Sequence, residues 1–303
     1  MRIAVFPGQG SQSPGFLTPW LETDGAADRL AQYSEWAGVD LVAAGTEWDA
    51  DRIRDTQVAQ PLIVAASLLS WNALPGREEI GGVAGHSVGE FAAAAAAGVL
   101  SEEDALTLVG IRGRAMAEAA AAAATGMSAV IGGDEASVLA RLDELGLAPA
   151  NYNGGGQLVV AGALEGLAAL AAEPVAGTRV IPLQVAGAFH TDYMAPAVDT
   201  LRSAAAEVAA SDPGVTLWTN RDGSAVGTGS AFVDLLVAQV ASPVRWDLCM
   251  AAFADAGVSG IVELSPAGTL VGLAKRALRG VPAVAVKTPA DLEAAAALVA
   301  PAA

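Results

Sequence analysis

Residues 85–90 read GHSVGE, a serine with a glycine two positions to either side. An apolar run, IGGVA at 80–84, leads into it and a helical pattern over 88–98 leads out. Strand, sharp turn and helix in that order define a nucleophile elbow, in which Gly85 and Gly89 leave room for the turn and Ser87 is lifted clear of the sheet edge. Moving outward, RIAVF at 2–6 is a second short apolar strand followed by a glycine-rich turn, and further apolar strands fall at 215–219, 260–264 and 283–286. Helical patterns at 58–72, 102–120, 195–210 and 244–256 separate them. Strands alternating with helices predict an α/β fold on a parallel sheet with both faces covered.

Between Thr125 and His190 the rhythm changes. Strand (MSAVI), helix (134–145), strand (near 148–152), glycine turn, strand (QLVVAG), helix (163–172) and strand (TRVIPLQV) follow one another. That βαββαβ order is ferredoxin-like. The expected organisation is a large subdomain from 1–124 and 191–303, with a small subdomain, 125–190, inserted into it.

With 53% hydrophobic and 16% charged residues, the chain has the makings of a large core. Its 33 acidic against 16 basic residues, a net charge of -17, argue against a nucleic-acid partner. Any acidic partner must find a local basic patch. The N-terminal apolar run IAVF is far short of a signal-peptide core, and the uncharged stretch from Ala119 to Gly133 is broken by glycine and too short for the ~20 residues that span a bilayer. A cytoplasmic, monomeric protein without membrane contact is the expectation. Cys249, the single cysteine, lies in an apolar helical pattern and reads as buried filler; with two histidines it leaves too few ligands for a structural zinc site.

If Ser87 is a nucleophile, it needs a base. His86 is adjacent, but at a strand end successive side chains point to opposite sides, so it is expected to face away and to be tied into local hydrogen bonds. His190, in GAFHTDYM, is the other histidine and the remaining base by elimination, unless it is a bland surface residue where the small subdomain returns to the large one. The helix that starts near Val88 aims its positive end at Ser87, which suits an oxyanion and therefore acyl transfer.

Over 102–120, a step of about 100° per residue puts Ala105, Leu108, Val109, Arg112 and Met116 on one face, while Arg114 points to water. An arginine in the middle of an apolar stripe needs an acceptor. It pairs with an internal Asp or Glu, or its fork is kept for the carboxylate of a substrate.

With GHSVGEF, GAFH and GIRGRAM placed, the chain resembles the malonyl-CoA:acyl carrier protein transacylases and the acyltransferase domains of polyketide synthases. The likeness runs nearly end to end, through PGQGSQ at 7–12, AQPLIVAAS at 59–67, NYNGGGQLVVAG at 151–162, WTNRDG at 218–223, QVASPVRW at 239–246 and ELSPAGTLVGLAKRAL at 263–278. The resemblance implies an α/β-hydrolase-like large subdomain, a ferredoxin-like insertion and an active site in the cleft between them. It implies that Ser87 is the nucleophile, His190 its base and Arg112 the partner of the malonyl carboxylate. The backbone N–H groups of Gln9 and Val88 would form the oxyanion hole, and the backbone carbonyl of Gln239 would orient the histidine. Phe189 would crowd the methyl group of methylmalonyl. The implied reaction carries malonyl from malonyl-CoA to the phosphopantetheine thiol of acyl carrier protein through a malonyl-serine, in ping-pong fashion, for fatty acid or polyketide synthesis, with no resident cofactor. In LAKRALRG, Lys275, Arg276 and Arg279 would dock the acidic carrier, or else are basic residues favoured by the helix end.

Two departures are visible: Ser242 stands where the family often has asparagine before the proline of its PV-W motif, and SPAG at 265–268 lacks the lysine of a GPGK-like stretch. Ser13 and Phe16, where glycine and lysine would be needed, argue against a phosphate loop at GQGSQ. An esterase or thioesterase would place its histidine late in the chain, and none follows His190. A carrier-binding scaffold without activity would not need Ser87, His190 and Arg112 together. The chain reads as a free-standing enzyme.

Overall fold

The computed structural model describes residues 1–301. These form ten strands: β1 (Arg2–Phe6), β2 (Gly82–Gly85), β3 (Thr125–Gly132), β4 (Ala148–Gly154), β5 (Gln157–Ala163), β6 (Thr178–Pro182), β7 (Thr216–Trp218), β8 (Val244–Arg245), β9 (Gly260–Glu263) and β10 (Ala283–Ala285). One five-stranded sheet has the order β10-β9-β1-β2-β7 and is parallel throughout. Its strands are apolar at nearly every position because both faces are buried. Ala4, Phe6, Val83 and Val262 face one core, while Ile3, Val5, Ala84 and Ile261 face another on the opposite side.

The second sheet has the order β6-β3-β5-β4-β8. Its strands from 125–182 pair antiparallel with a helix after β3 (Glu135–Glu144) and another after β5 (Leu164–Ala172), the ferredoxin-like arrangement read from the sequence. These helices and strands enclose a separate core around Val130, Leu142, Val160 and Leu170. The fifth strand, β8, comes from Val244–Arg245 and pairs parallel with β4 at Asn151 and Tyr152. The small sheet is thus closed at one edge by a segment from outside the expected bounds. Two residues carry no periodicity, which is why this strand was absent from the sequence reading.

Among the described residues, no helix is long and apolar enough to cross a membrane. The helix Glu102–Ala121 is started by Ser101, whose side chain accepts from the Asp104 N–H at 3.0 Å, with Glu102, Glu103 and Asp104 in its first turn. Its buried stripe holds Ala105, Leu108, Val109, Arg112 and Met116, as the periodicity requires, and Arg114 is exposed.

Candidate active site

At the end of β2 the chain turns through Ser87, whose φ of 53° lies in the left-handed region, before the helix Gly89–Ala96. A non-glycine residue held there costs about 1–3 kcal/mol. The turn tolerates no side chain at its flanks: a methyl group on Gly85 would overlap the backbone of Gly89 and Glu90, and one on Gly89 would overlap the backbone of Phe6. Asn220, just after β7, holds the turn from below. Its Oδ1 accepts from the Ser87 N–H at 2.7 Å and its Nδ2 donates to the Gly85 carbonyl at 2.7 Å.

His190 meets this elbow from the return of the small subdomain. Its Nε2 lies 2.7 Å from Ser87 Oγ, and its Nδ1 donates to the backbone carbonyl of Gln239 at 2.9 Å. That second bond fixes the tautomer, leaving Nε2 to accept the serine proton. The imidazole is 4% exposed. Burial, then the positive charge of Arg112, pushes its pKa down to about 3, against the Gln239 carbonyl that pulls it up. A neutral, accepting ring is the result.

His86 faces the other way. Its Nε2 pairs with Asn153 Oδ1 at 2.9 Å and its ring meets Trp246 edge-on at 5.6 Å. Burial lowers its pKa as well.

Arg112 is 1% exposed. Its Nη1 donates to Gln60 Oε1 at 2.6 Å, its Nη2 donates to Gln239 Oε1 at 3.0 Å, and its guanidinium lies 5.9 Å from the Phe91 ring centre. Nε has no partner among the described residues, and no carboxylate among them reaches salt-bridge distance. Burial lowers its pKa to about 10, so it remains a cation at neutral pH. The internal ion pair that periodicity left open is therefore replaced by two amide oxygens. These orient the fork without neutralising it.

Ser87, His190, Arg112, Gln9, Val88 and Phe189 line one cleft of ≈ 160 Å³. Met127, Asn151 and Val159 of the small sheet form its opposite wall. The backbone N–H groups of Gln9 and Val88 have no acceptor among the described residues. Gln239 contributes twice, through its backbone carbonyl to His190 and through its side chain to Arg112. Lys275 and Arg276 do not enter the cleft; they are exposed on the last turn of the helix Thr269–Ala277, whose first residues, Thr269 and Leu270, line it. Cys249 is buried, as its apolar setting predicts, and burial raises its pKa.

Three residues of this constellation escaped the sequence reading: Gln60, Asn220 and Glu90. Gln60 and Glu90 are polar residues inside runs of apolar or small ones, AQPLIV and GEFAAA, and that contrast was the available signal; Asn220, in WTNRDG, has polar neighbours and carried none. Glu90, one turn beyond Ser87, is 1% exposed. Its Oε1 accepts from the Asn220 N–H at 2.7 Å and its Oε2 accepts from Gln239 Nε2. Burial raises its pKa to about 8, while those donors and Arg112 pull it down.

A parallel sheet that ends in a tight serine turn, a histidine hydrogen-bonded to that serine and a buried arginine with no salt bridge among the described residues meet in one cleft, an arrangement suited to an α/β acyl-group enzyme. The chain belongs to the acyl transferase domain family, whose pattern matches residues 3–298. It is 55% identical over 297 residues to the malonyl CoA-acyl carrier protein transacylase of Mycobacterium tuberculosis, covering 97% of this chain and 98% of that one. The crystal structure of MCAT from Mycobacterium tuberculosis superposes with a TM-score of 0.94 at 54% identity, covering 98% of this chain and 100% of that one. A malonyl-transacylase solved in complex with its type II PKS acyl-carrier protein superposes with a TM-score of 0.90 at 31% identity, over 98% and 99% of the two chains.

Proposed function

We propose that this chain transfers a malonyl group from malonyl-CoA to the phosphopantetheine thiol of an acyl carrier protein through a malonyl-serine. The observation that carries this reading is the pairing of a nucleophile–base contact, Ser87 Oγ to His190 Nε2 at 2.7 Å, with a buried cation, Arg112, that forms no salt bridge among the described residues and opens on the same cleft.

In the first half-reaction the Ser87 proton passes to His190 Nε2 while Oγ attacks the thioester carbonyl carbon. The N–H groups of Gln9 and Val88 receive the oxyanion. The C–S bond then breaks, the imidazolium protonates the CoA sulfur, and malonyl remains as an ester on Ser87. In the second half the carrier thiol gives its proton to His190 and attacks that ester; the C–O bond to Ser87 breaks and Oγ recovers the proton. Thioester chemistry supplies its own leaving group, so no resident cofactor is called for.

Arg112 receives the malonyl carboxylate in its fork, which selects a charged acyl group and holds it so that water is poorly aligned for hydrolysis. The bound anion also offsets the charge that depresses His190, so the base strengthens when the correct substrate is in place. Phe189, buried and lining the cleft, crowds a methyl branch, a discrimination worth about 1–3 kcal/mol. The exposed Lys275 and Arg276 offer the acidic carrier a local basic patch on the helix whose start lines the cleft. The reading places the protein in the cytoplasm as a monomer that supplies extender units for fatty acid or polyketide synthesis.

The test is intact mass after brief mixing with malonyl-CoA, then after adding holo acyl carrier protein, beside Ser87→Ala. One malonyl group gained by wild type alone and passed to the carrier is the expected result. Steady CoA release with no adduct and no dependence on carrier would make the protein a thioesterase instead. Lys275→Glu/Arg276→Glu should load Ser87 at the wild-type rate and discharge to the carrier more slowly.

A further inference from the structure

Glu90 sits outside every step just described, yet it is a buried carboxyl group bound to the residue that serves both His190 and Arg112. The Gln239 carboxamide has its oxygen on Arg112 Nη2 at 3.0 Å and its nitrogen on the Ser87 carbonyl at 3.1 Å and on Glu90. A carboxamide has two ways to lie, and the wrong one would aim an NH2 group at the guanidinium. Two acceptors on the nitrogen side oppose that flip, the Ser87 carbonyl and Glu90. As a carboxylate, the form that prevails above its raised pKa of about 8, Glu90 presents an acceptor at each of its oxygens, one to the Asn220 N–H and one to Gln239 Nε2.

We infer that Glu90 is a positioning residue for the acyl carboxylate: acting through the side chain of Gln239, it holds the Arg112 guanidinium toward the cleft. The inference rests on the reading that Arg112 binds that carboxylate. A glutamine at position 90 has one acceptor where two are needed. If its NH2 faces Gln239, that carboxamide flips and sets a donor against Arg112, and the fork loses one of the two amides that orient it. Gln60 alone then holds it.

The test compares kcat/KM at about pH 9, where Glu90 is ionised and Arg112 still mostly charged, for malonyl-CoA and for acetyl-CoA, which has no carboxylate, in wild type, Glu90→Gln, Gln239→Met, the double variant and Arg112→Ala. Gln239→Met removes the carboxamide and keeps the backbone carbonyl that His190 uses. Glu90→Gln should lower the malonyl-to-acetyl ratio about 10- to 100-fold, the worth of a hydrogen bond to a charged group, and chiefly through the KM for malonyl-CoA. A role confined to stability would lower both substrates alike. The double variant should lose no more selectivity than Gln239→Met, because both changes cut one link. An unchanged ratio in Glu90→Gln, with the ratio lost in Arg112→Ala, overturns the role of Glu90 and leaves the Arg112 clamp standing. An unchanged ratio in Arg112→Ala overturns the clamp, and this inference with it. If Glu90→Gln does not fold, Gln239→Met decides: a wild-type ratio there overturns the route through its side chain.

Discussion

Two strand–turn–helix units flank β1 in the parallel sheet, one on each side, and only one of them leaves the N–H after its strained residue without an acceptor among the described residues. β2 runs through Ser87 into the helix Gly89–Ala96; β9 runs through Ala267 into the helix Thr269–Ala277. Both turns hold a non-glycine residue at positive φ, 53° at Ser87 and 49° at Ala267, and both units bury a glutamate. The difference is where the glutamate points. Glu263 lies before its helix, and its carboxylate accepts from the N–H groups of Gly268, Leu270 and Val271 at 2.8, 2.9 and 2.8 Å. Glu90 lies after its turn and is directed away to Asn220 and Gln239, and the Val88 N–H has no acceptor among the described residues. A helix start that its own chain has capped has no donors left for an oxyanion; one whose glutamate is engaged elsewhere keeps them.

The largest effect should come from closing the open unit sterically. Gly85→Ala puts a methyl group into the backbone of Gly89 and Glu90, which no side-chain rotation relieves. The turn cannot keep Ser87 in place. Intact mass should show no malonyl adduct, and the yield of soluble protein should fall. Full acylation in this variant would mean that the elbow does not depend on the tight approach of its two glycines.

A smaller effect, and a sharper probe of the open unit, is the pH dependence of the base. An ordinary histidine would lose its proton-accepting form below about pH 6.5. In His190 burial and Arg112 favour the neutral ring, and its pKa falls to about 3. The accepting form is therefore kept as pH drops through 6.5 and is lost only as pH approaches the lowered value. kcat/KM for loading Ser87, which reports the free enzyme, should stay level between about pH 5 and 7. An acid limb centred near 6.5 would show that the imidazole is wetter and farther from the cation than this geometry has it.

How much of this was legible in the sequence follows the range of the interactions. The elbow is local, since two glycines and a serine within five residues settle their own turn. Arg112 was legible because a charge in an apolar stripe violates a short-range periodicity. His190 was found by elimination, an accident of a chain with two histidines. Its partner Gln239 came from the family resemblance, and the second use of that residue, through its side chain to Arg112, was not legible at all. Asn220 and Gln60 act across 133 and 52 residues respectively. Nothing in their neighbourhoods states which distant group they will meet. The same reason explains β8, a strand whose only signal is its partner β4.

The smallest effect should fall on the capped unit, and it would show whether that unit is the inert counterpart of the elbow. Glu263→Gln keeps size and leaves one oxygen for the Gly268 and Val271 N–H groups, but it turns an NH2 group toward the Leu270 N–H that Oε1 accepts from. Leaving one buried donor unmatched costs about 1–3 kcal/mol. The thermal midpoint should drop by several degrees, on the order of 2–4 °C per kcal/mol for a chain of this size. Thr269 and Leu270 line the cleft, so the loading rate should shift slightly; Glu263 itself touches none of the reacting groups, so it should stay within about tenfold of wild type. A loss of acylation as deep as that of Gly85→Ala, with the fold intact, would mean that both units belong to the reactive centre, and that capping one helix start is part of how the other is kept open.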